Sequence, residues 1–305
     1  MSTNISWADE TWNPLVAVRS MTDNHYVDDD ELRGWACVKV SPGCANCYAS
    51  EMNETRRFGL GTGLPYTVWA MSQATPILDE AVLAKPLRWR NPRRIFVCSM
   101  TDLFGEWVRD EWLDRIFAVM EATPHHTYLI LTKRPERMRE VVRSITNAMG
   151  FVNALKGGGG PGWVFPNVHL GVSCEDQERW DERVPVLLDT PAAVRWVSAE
   201  PLLGPIDGTR TNIGDYELLN AFKGFVWSDG SLPDLIAPSE ALDWIVVGGE
   251  SGRGFRPMDV EWAGSLVRQC KTAGVPVWFK QGSGIRPQMV TTLDGMAYHE
   301  LPVTR

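Results

Sequence analysis

No run of apolar residues in this chain approaches the roughly 20 that a membrane-spanning helix needs; the longest, such as Trp244–Val247, are a few residues. An excess of positive charge is missing too. Thirty Lys and Arg face 38 Asp and Glu, for a formal net charge of −8. That balance argues against a surface coated for non-specific duplex binding, although a local basic groove stays open. The first ten residues, Met-Ser-Thr-Asn-Ile-Ser-Trp-Ala-Asp-Glu, hold neither a basic start nor an apolar stretch. No secretion signal is therefore expected, and the six cysteines should meet a reducing cytoplasm as thiols or metal ligands. The glycine-rich stretch Gly248–Gly252 lacks the G-x-x-x-x-G-K-[ST] pattern of a phosphate loop.

What is present is a chain of 305 residues, 44% apolar and 22% charged. That composition fills a sizeable core and excludes wholesale disorder. The length suits two average domains or one α/β barrel with insertions. Tryptophan is the outlier at 14 residues, and so many large rings require a core or a stacking surface.

Short β-rich runs alternate with helical patterns. Strands are expected at Arg94–Ser99, Thr127–Leu131, Val168–Val172, Val194–Ser198, Trp244–Val247 and Val275–Phe279, with one more near the N-terminus. Helices are expected at Asp110–Glu121, Pro135–Met149, Gln177–Leu188 and Val260–Ala273, the last ending at Gly274. Alternation of this kind means parallel strands joined by right-handed crossovers. The expected fold is α/β, a full or partial (β/α) TIM-like barrel in one domain, 1–305, with insertions near 15–34 and 207–241. Met21–Arg33 reads as an inserted polar loop, Lys156–Gly162 as a flexible turn, and Asp207–Ala241 as a small hairpin or lid.

Ligands in such folds sit where strands end and the next loops begin. Reading only those positions gives Ser99 to Asp102, Thr132-Lys133-Arg134, Ser173-Cys174-Glu175, Ala199-Glu200-Pro201, Gly248 to Gly252 and Lys280-Gln281. Any one of these is ordinarily a helix cap or a rim ion pair. Their convergence on one edge favours a site, because buried polar groups cost free energy unless paired.

Cys37, Cys44 and Cys47 cluster in one loop, whereas Cys98, Cys174 and Cys270 are scattered. Pro42 and Gly43 turn the chain, and the Cys44-x-x-Cys47 spacing lets two sulfurs face one point. Three soft thiolates suit an iron–sulfur cluster or zinc. A closed zinc site wants four ligands, and no second cysteine pair or suitably spaced histidine follows; His25 is a conceivable fourth but sits in a polar loop. Three ligands on a four-iron cluster leave one iron open. The bland alternative is three reduced cysteines packed in a loop.

Several motifs occur together in order: Thr11-Trp-Asn-Pro14, the three-cysteine loop ending Cys47-Tyr48-Ala49, Ser99-Met-Thr-Asp102-Leu-Phe104, Leu131-Thr-Lys-Arg134, Ser198-Ala-Glu-Pro201, and Gly248-Gly-Glu-Ser-Gly252 followed by Arg256-Pro257. This combination resembles the phage-associated three-cysteine-motif proteins, which are related to radical S-adenosylmethionine (SAM) enzymes and distantly similar to spore photoproduct lyase. The resemblance runs from Thr11 to Gln281. Two departures stand out. Radical SAM enzymes most often space their cysteines C-x3-C-x2-C, whereas this chain has C-x6-C-x2-C. Relatives also place the first cysteine soon after Trp-Asn-Pro, whereas Leu15–Gly34 intervenes here.

The resemblance implies a radical SAM barrel, a [4Fe–4S] cluster on Cys37, Cys44 and Cys47, and SAM as cofactor. It implies that Ser99 and Asp102 hold the SAM ammonium, that Thr132, Lys133 and Ser173 bind its carboxylate or ribose, and that Glu200 binds a ribose hydroxyl. Gly248 and Gly249 would let backbone approach the adenine; Tyr48, Glu250 and Arg256 belong to the same cofactor-binding motifs. A flavodoxin- or ferredoxin-like electron donor is the implied partner, with no membrane. The implied substrate is a nucleic-acid base or nucleotide, for repair or modification. Lys133, Arg134, Arg137, Arg139, Arg253 and Arg256 are the cations placed to receive its phosphates. Lys85–Arg94, the densest basic stretch, precedes a strand and reads as a solvated structural face. The competing readings are radical chemistry on a peptide or small metabolite, and a non-catalytic barrel whose cysteines hold structural zinc.

Overall fold

The computed structural model describes residues 5–20, 31–56, 59–155, 160, 162–214, 217–228 and 240–303. The fold is α/β. Seven strands form one sheet: β1 (Glu10–Trp12), β5 (Arg94–Val97), β6 (Thr127–Thr132), β7 (Val168–Ser173), β8 (Val194–Ala199), β12 (Trp244–Gly248) and β13 (Val277–Gln281), in the order β1-β5-β6-β7-β8-β12-β13. Pairing is parallel for β1–β5, β5–β6, β7–β8, β8–β12 and β12–β13. β1 is the strand expected near the N-terminus. Among the described residues the order has two free ends, β1 and β13, so the sheet is open and not a closed ring. Two compact units divide the chain, 1–130 and 131–305, with the boundary inside β6.

In the first unit, the strand β5 stops at Val97, two residues earlier than its β-rich run predicts. Cys98 has φ +54, the left-handed region that turns the chain away from the ladder. Helix α4 (Asp110–Ala122) follows, and Trp112, Ile116, Val119 and Met120 of its predicted apolar face are all buried. A second, antiparallel sheet of order β3-β2-β4 is built from β2 (Leu15–Ser20), β3 (Glu31–Gly34) and β4 (Thr75–Leu78). Residues 31–33, expected as loop, are therefore strand, held by pairing of Ser20, Arg19 and Val18 with Glu31, Leu32 and Arg33. Residues 21–30, including His25, lie outside the described residues. Three short α-helices are also among the described residues of this unit. These are α1 (Tyr48–Glu54), α2 (Val68–Met71, capped by Thr67) and α3 (Glu80–Leu83, capped by Asp79).

In the second unit, helices α5 (Pro135–Leu155), α6 (Gln177–Leu188) and α7 (Val260–Ala273) follow β6, β7 and β12. The Asp176 and Asp259 carboxylates cap α6 and α7, and Gly274 closes α7 at φ +76, where a side chain would be strained. β13 starts at Val277, because Pro276 has no N–H to give to a ladder. β7, β8 and β12 are buried at every position. The tryptophans Trp180, Trp196 and Trp244 are fully buried here, and the last two face each other across β8 and β12 with ring centroids 5.2 Å apart. Such rings contribute about 5 kcal/mol each, as an upper bound from buried apolar area. Within the 207–241 insertion, β9 (Thr211–Gly214), β10 (Glu217–Asn220) and β11 (Phe225–Ser228) form a three-stranded antiparallel sheet. Residues 229–239 of that insertion, and 156–159 and 161 of the glycine turn, lie outside the described residues. No described helix is long and apolar enough to cross a membrane.

Candidate functional site

The first unit holds the thiol loop. Cys44 ends a 3-10 turn, Pro42–Cys44, in which the Ala45 N–H donates to the Pro42 carbonyl. Cys47 is the residue at the N-cap of α1. All three cysteines are half-buried, and none is in a disulfide. Cys37 and Cys47 pack against one small cluster of Ala49, Tyr66 and Met100. Both sit close enough to the Tyr66 phenol to raise its pKa, although burial is the larger cause. Cys44 Sγ lies 3.9 Å from Ser41 Oγ. Among the described residues, no three His, Cys, Asp or Glu side chains are gathered into a ready-made metal site.

The base of this loop is closed by Asn53, which is 1% exposed on α1. Its side-chain oxygen accepts the N–H groups of Trp35 (2.9 Å) and Thr62 (3.1 Å), and its amide donates to Thr62 Oγ1 and the Leu64 carbonyl, both at 2.8 Å. Gly34 fits against the same point. A Cβ there would come within 2.5 Å of Asn53 Oδ1, the Gly61 Cα and the Thr62 nitrogen. Neither Asn53 nor the Gly34–Gly61 contact carries a sequence signal, since a buried amide looks like any helix Asn until its partners are seen.

The strap Ser99–Asp102 after β5 is held on several sides. Asn13, from the Trp-Asn-Pro motif, accepts from Ser99 Oγ and from the Met100 N–H, both at 3.2 Å. The exposed Tyr48 hydroxyl donates to the Ser99 carbonyl at 2.6 Å, and the buried Tyr66 hydroxyl donates to the Met100 carbonyl at 2.5 Å. Thr101 Oγ1 donates to the Ala36 carbonyl, next to Cys37, at 2.6 Å. Asp102 is buried and accepts from the Phe104 N–H at 3.0 Å. The thiol loop and this strap are thus stitched together within one unit. Tyr66, Thr101 and Asn13 make these bonds; Thr101 and Asn13 lie inside the quoted motifs without a role assigned there, and Tyr66 lies in none of them.

The second unit carries the other candidates. Thr132 and Ser173 are buried at strand ends. The Thr132 hydroxyl accepts the Arg134 N–H at 2.9 Å, and the Ser173 carbonyl accepts from Arg183 at 2.7 Å. Burial pushes the Cys174 thiol's pKa up, outweighing Arg183 and, more weakly, Lys133, which favour the thiolate. Glu200 binds Lys280 at 3.0 Å and accepts from Ser198 Oγ at 3.2 Å. Its carboxylate lies directly over Gly248, where a Cβ would be 2.5 Å from Oε1. The room over Gly249 is filled by Ser283 in the same way. Glu250 is buried and clamps Arg256 through Oε1–Nη2 (2.6 Å), Oε2–Nε (3.0 Å) and the Arg256 N–H (2.7 Å). That pairing raises the Arg256 pKa, with Glu175 adding to it. Glu175 itself is fully buried against Arg183 at 3.2 Å. Of the cations expected to receive phosphates, Arg139 is committed to Asp189, Arg256 to Glu250, and Arg134 is buried; Arg253 is exposed.

Comparison with curated proteins and with solved structures finds no match. A family model described as "Protein of unknown function (DUF5131)" matches residues 30–302, which takes in all three loop cysteines, the strap and every rim residue named above. The chain belongs to this family, DUF5131.

Proposed function

We propose that this protein is a radical SAM enzyme built on a partial TIM-like barrel, in which Cys37, Cys44 and Cys47 hold a [4Fe–4S] cluster. The observation that supports it most is the coupling of the thiol loop to the strap through Thr101 to Ala36, Tyr48 to Ser99 and Tyr66 to Met100. The donor set suits a cluster by ligand type: three half-buried thiols on one loop are soft ligands with access to solvent, which loading would have to draw together, since the described structure does not gather them at one point. Cys37, Cys44 and Cys47 would hold the cluster, which when bound would supply one-electron reducing chemistry toward SAM. The chain's own residues do the positioning. Asp102 offers a buried carboxylate and Ser99 a hydroxyl for an ammonium group. Glu200 and Lys280 together present one acceptor and one donor to a hydroxylated, anionic ligand. The substrate in this reading is a nucleic-acid base or nucleotide, with a flavodoxin- or ferredoxin-like electron donor as partner. Oxygen-free reconstitution with iron and sulfide tests it. The wild type should gain cluster absorbance and release 5′-deoxyadenosine from SAM on reduction, while Cys44→Ala should lose its iron. Wild-type protein that takes up zinc and no iron would make the loop a structural site and end the catalytic reading.

A further inference from the structure

The stretch Lys85–Arg94 divides into two halves. Arg93 and Arg94 are neutralised, by Glu10 at 3.1 Å and Asp9 at 2.9 Å. The side chains of Lys85, Arg88 and Arg90 are exposed and, among the described residues, meet no carboxylate. Three open cations in six residues stand out on a chain of net charge −8.

Their backbone is fixed rather than loose. Pro86–Arg88 is a 3-10 turn, with the Arg88 N–H on the Lys85 carbonyl (3.0 Å) and the Trp89 N–H on the Pro86 carbonyl (3.1 Å). Buried His126 donates from Nε2 to the Pro86 carbonyl at 3.3 Å, and His125 donates from Nε2 to the Trp89 carbonyl at 2.9 Å. Both partners are carbonyls, which only accept, so Nε2 carries the proton in each ring. The His125 ring is exposed and lies against the backbone between Arg88 and Arg90, its centroid 4.0 Å from that of His126. A pinned turn with three open cations around an exposed planar ring is more than a solvated face requires.

We propose that the Lys85–Arg90 turn is a docking surface for single-stranded nucleic acid, with phosphates on Lys85, Arg88 and Arg90 and a base stacked on His125. The ring is what favours nucleic acid over an acidic peptide or an anionic membrane, since neither of those needs a stacking platform beside its charges. The surface precedes β5, whereas the Ser99–Asp102 strap follows it, so it is separate from the cofactor residues and independent of the reaction proposed above.

Fluorescence anisotropy of the full-length protein with a labelled single-stranded DNA of about 20 nucleotides tests this. Three phosphate contacts give a slope of about −2 in log affinity against log salt. Wild-type affinity should thus fall roughly fifteen-fold between about 50 and 200 mM salt. K85A/R88A/R90A should lose that slope. His125→Ala should weaken binding about tenfold without changing the slope, and His125→Phe, which keeps a ring, should restore it. All four side chains are exposed, so circular dichroism should match the wild type. A triple variant with wild-type affinity and slope overturns the proposal. So does equal binding of the wild type to polyglutamate or phosphatidylserine vesicles, or indifference to His125→Ala.

Discussion

The side-chain oxygen of Asn53 accepts the backbone N–H of Trp35 at 2.9 Å, so a residue on the helix after the thiol loop closes that loop at its beginning. Truncating Asn53 leaves the Trp35 and Thr62 amides and the Leu64 carbonyl without their partner. Buried groups orphaned in this way cost about 1–3 kcal/mol each before relaxation. Asn53→Ala should therefore lose about 3 kcal/mol in a denaturant titration and should speed thiol modification in the loop. Unchanged stability together with unchanged thiol kinetics would show that the loop is held elsewhere.

The six cysteines should divide evenly. Cys37, Cys44 and Cys47 are half-buried, whereas Cys98, Cys174 and Cys270 are buried and their thiols are pushed up in pKa by burial. The thiolate is the reactive form. A disulfide reagent at pH 8 should modify three thiols quickly in metal-free native protein and the other three only after unfolding. Mass spectrometry assigns the fast set; a buried cysteine among them would contradict the packing described here.

Much of the fold was legible because burial writes itself into the sequence. β12, buried at every position, reads as a continuous apolar run, β7 and β8 as β-rich runs broken only by single polar residues, and α4 shows its buried face at helical spacing. Strand ends were less legible. β5 is cut short by the left-handed turn at Cys98, a conformation that no residue type announced. Glu31–Arg33 reads as the end of a loop because acidic residues precede it, and only pairing with β2 makes it strand. The candidate site was legible as motifs but not as bonds. Ser99 and Asp102 stand out by position, while Asn13, Tyr66 and Asn53, which hold the strap and the loop, act through contacts between residues 9 to 87 positions apart.

Two glycines that look alike in sequence should respond differently to alanine. At Gly34 the added Cβ meets backbone, the Gly61 Cα and the Thr62 nitrogen at 2.5 Å, which cannot move cheaply. At Gly248 it meets the end of the Glu200 side chain at 2.5 Å, which swings away at the expense of its Lys280 contact. Overpacking costs typically about 1–3 kcal/mol. Gly34→Ala should sit at or beyond the top of that range, and Gly248→Ala at the bottom, about 1 kcal/mol. Thermal melts of the two variants check the order; a Gly248→Ala protein less stable than Gly34→Ala reverses it.

His169 on β7 is 4% exposed, and neither ring nitrogen has a partner among the described residues. Burial pushes its pKa down to about 4, against about 6.5 in an unfolded chain. The neutral ring is the folded form, so the stability it permits is fully present above about pH 6.5. As pH falls from there toward 4, the unfolded chain takes a proton that the folded chain refuses. Over the whole window the loss is about 3 kcal/mol, and about 2 kcal/mol of it falls between roughly pH 7 and 5. His126 shifts in the same direction, chiefly through burial, so the wild-type curve alone does not isolate His169. His169→Met does: its stability should depend less on pH across that window by about 2 kcal/mol. Urea titrations of both proteins at the two pH values measure the difference. Equal pH dependence would mean that the ring finds water or a partner in the folded chain.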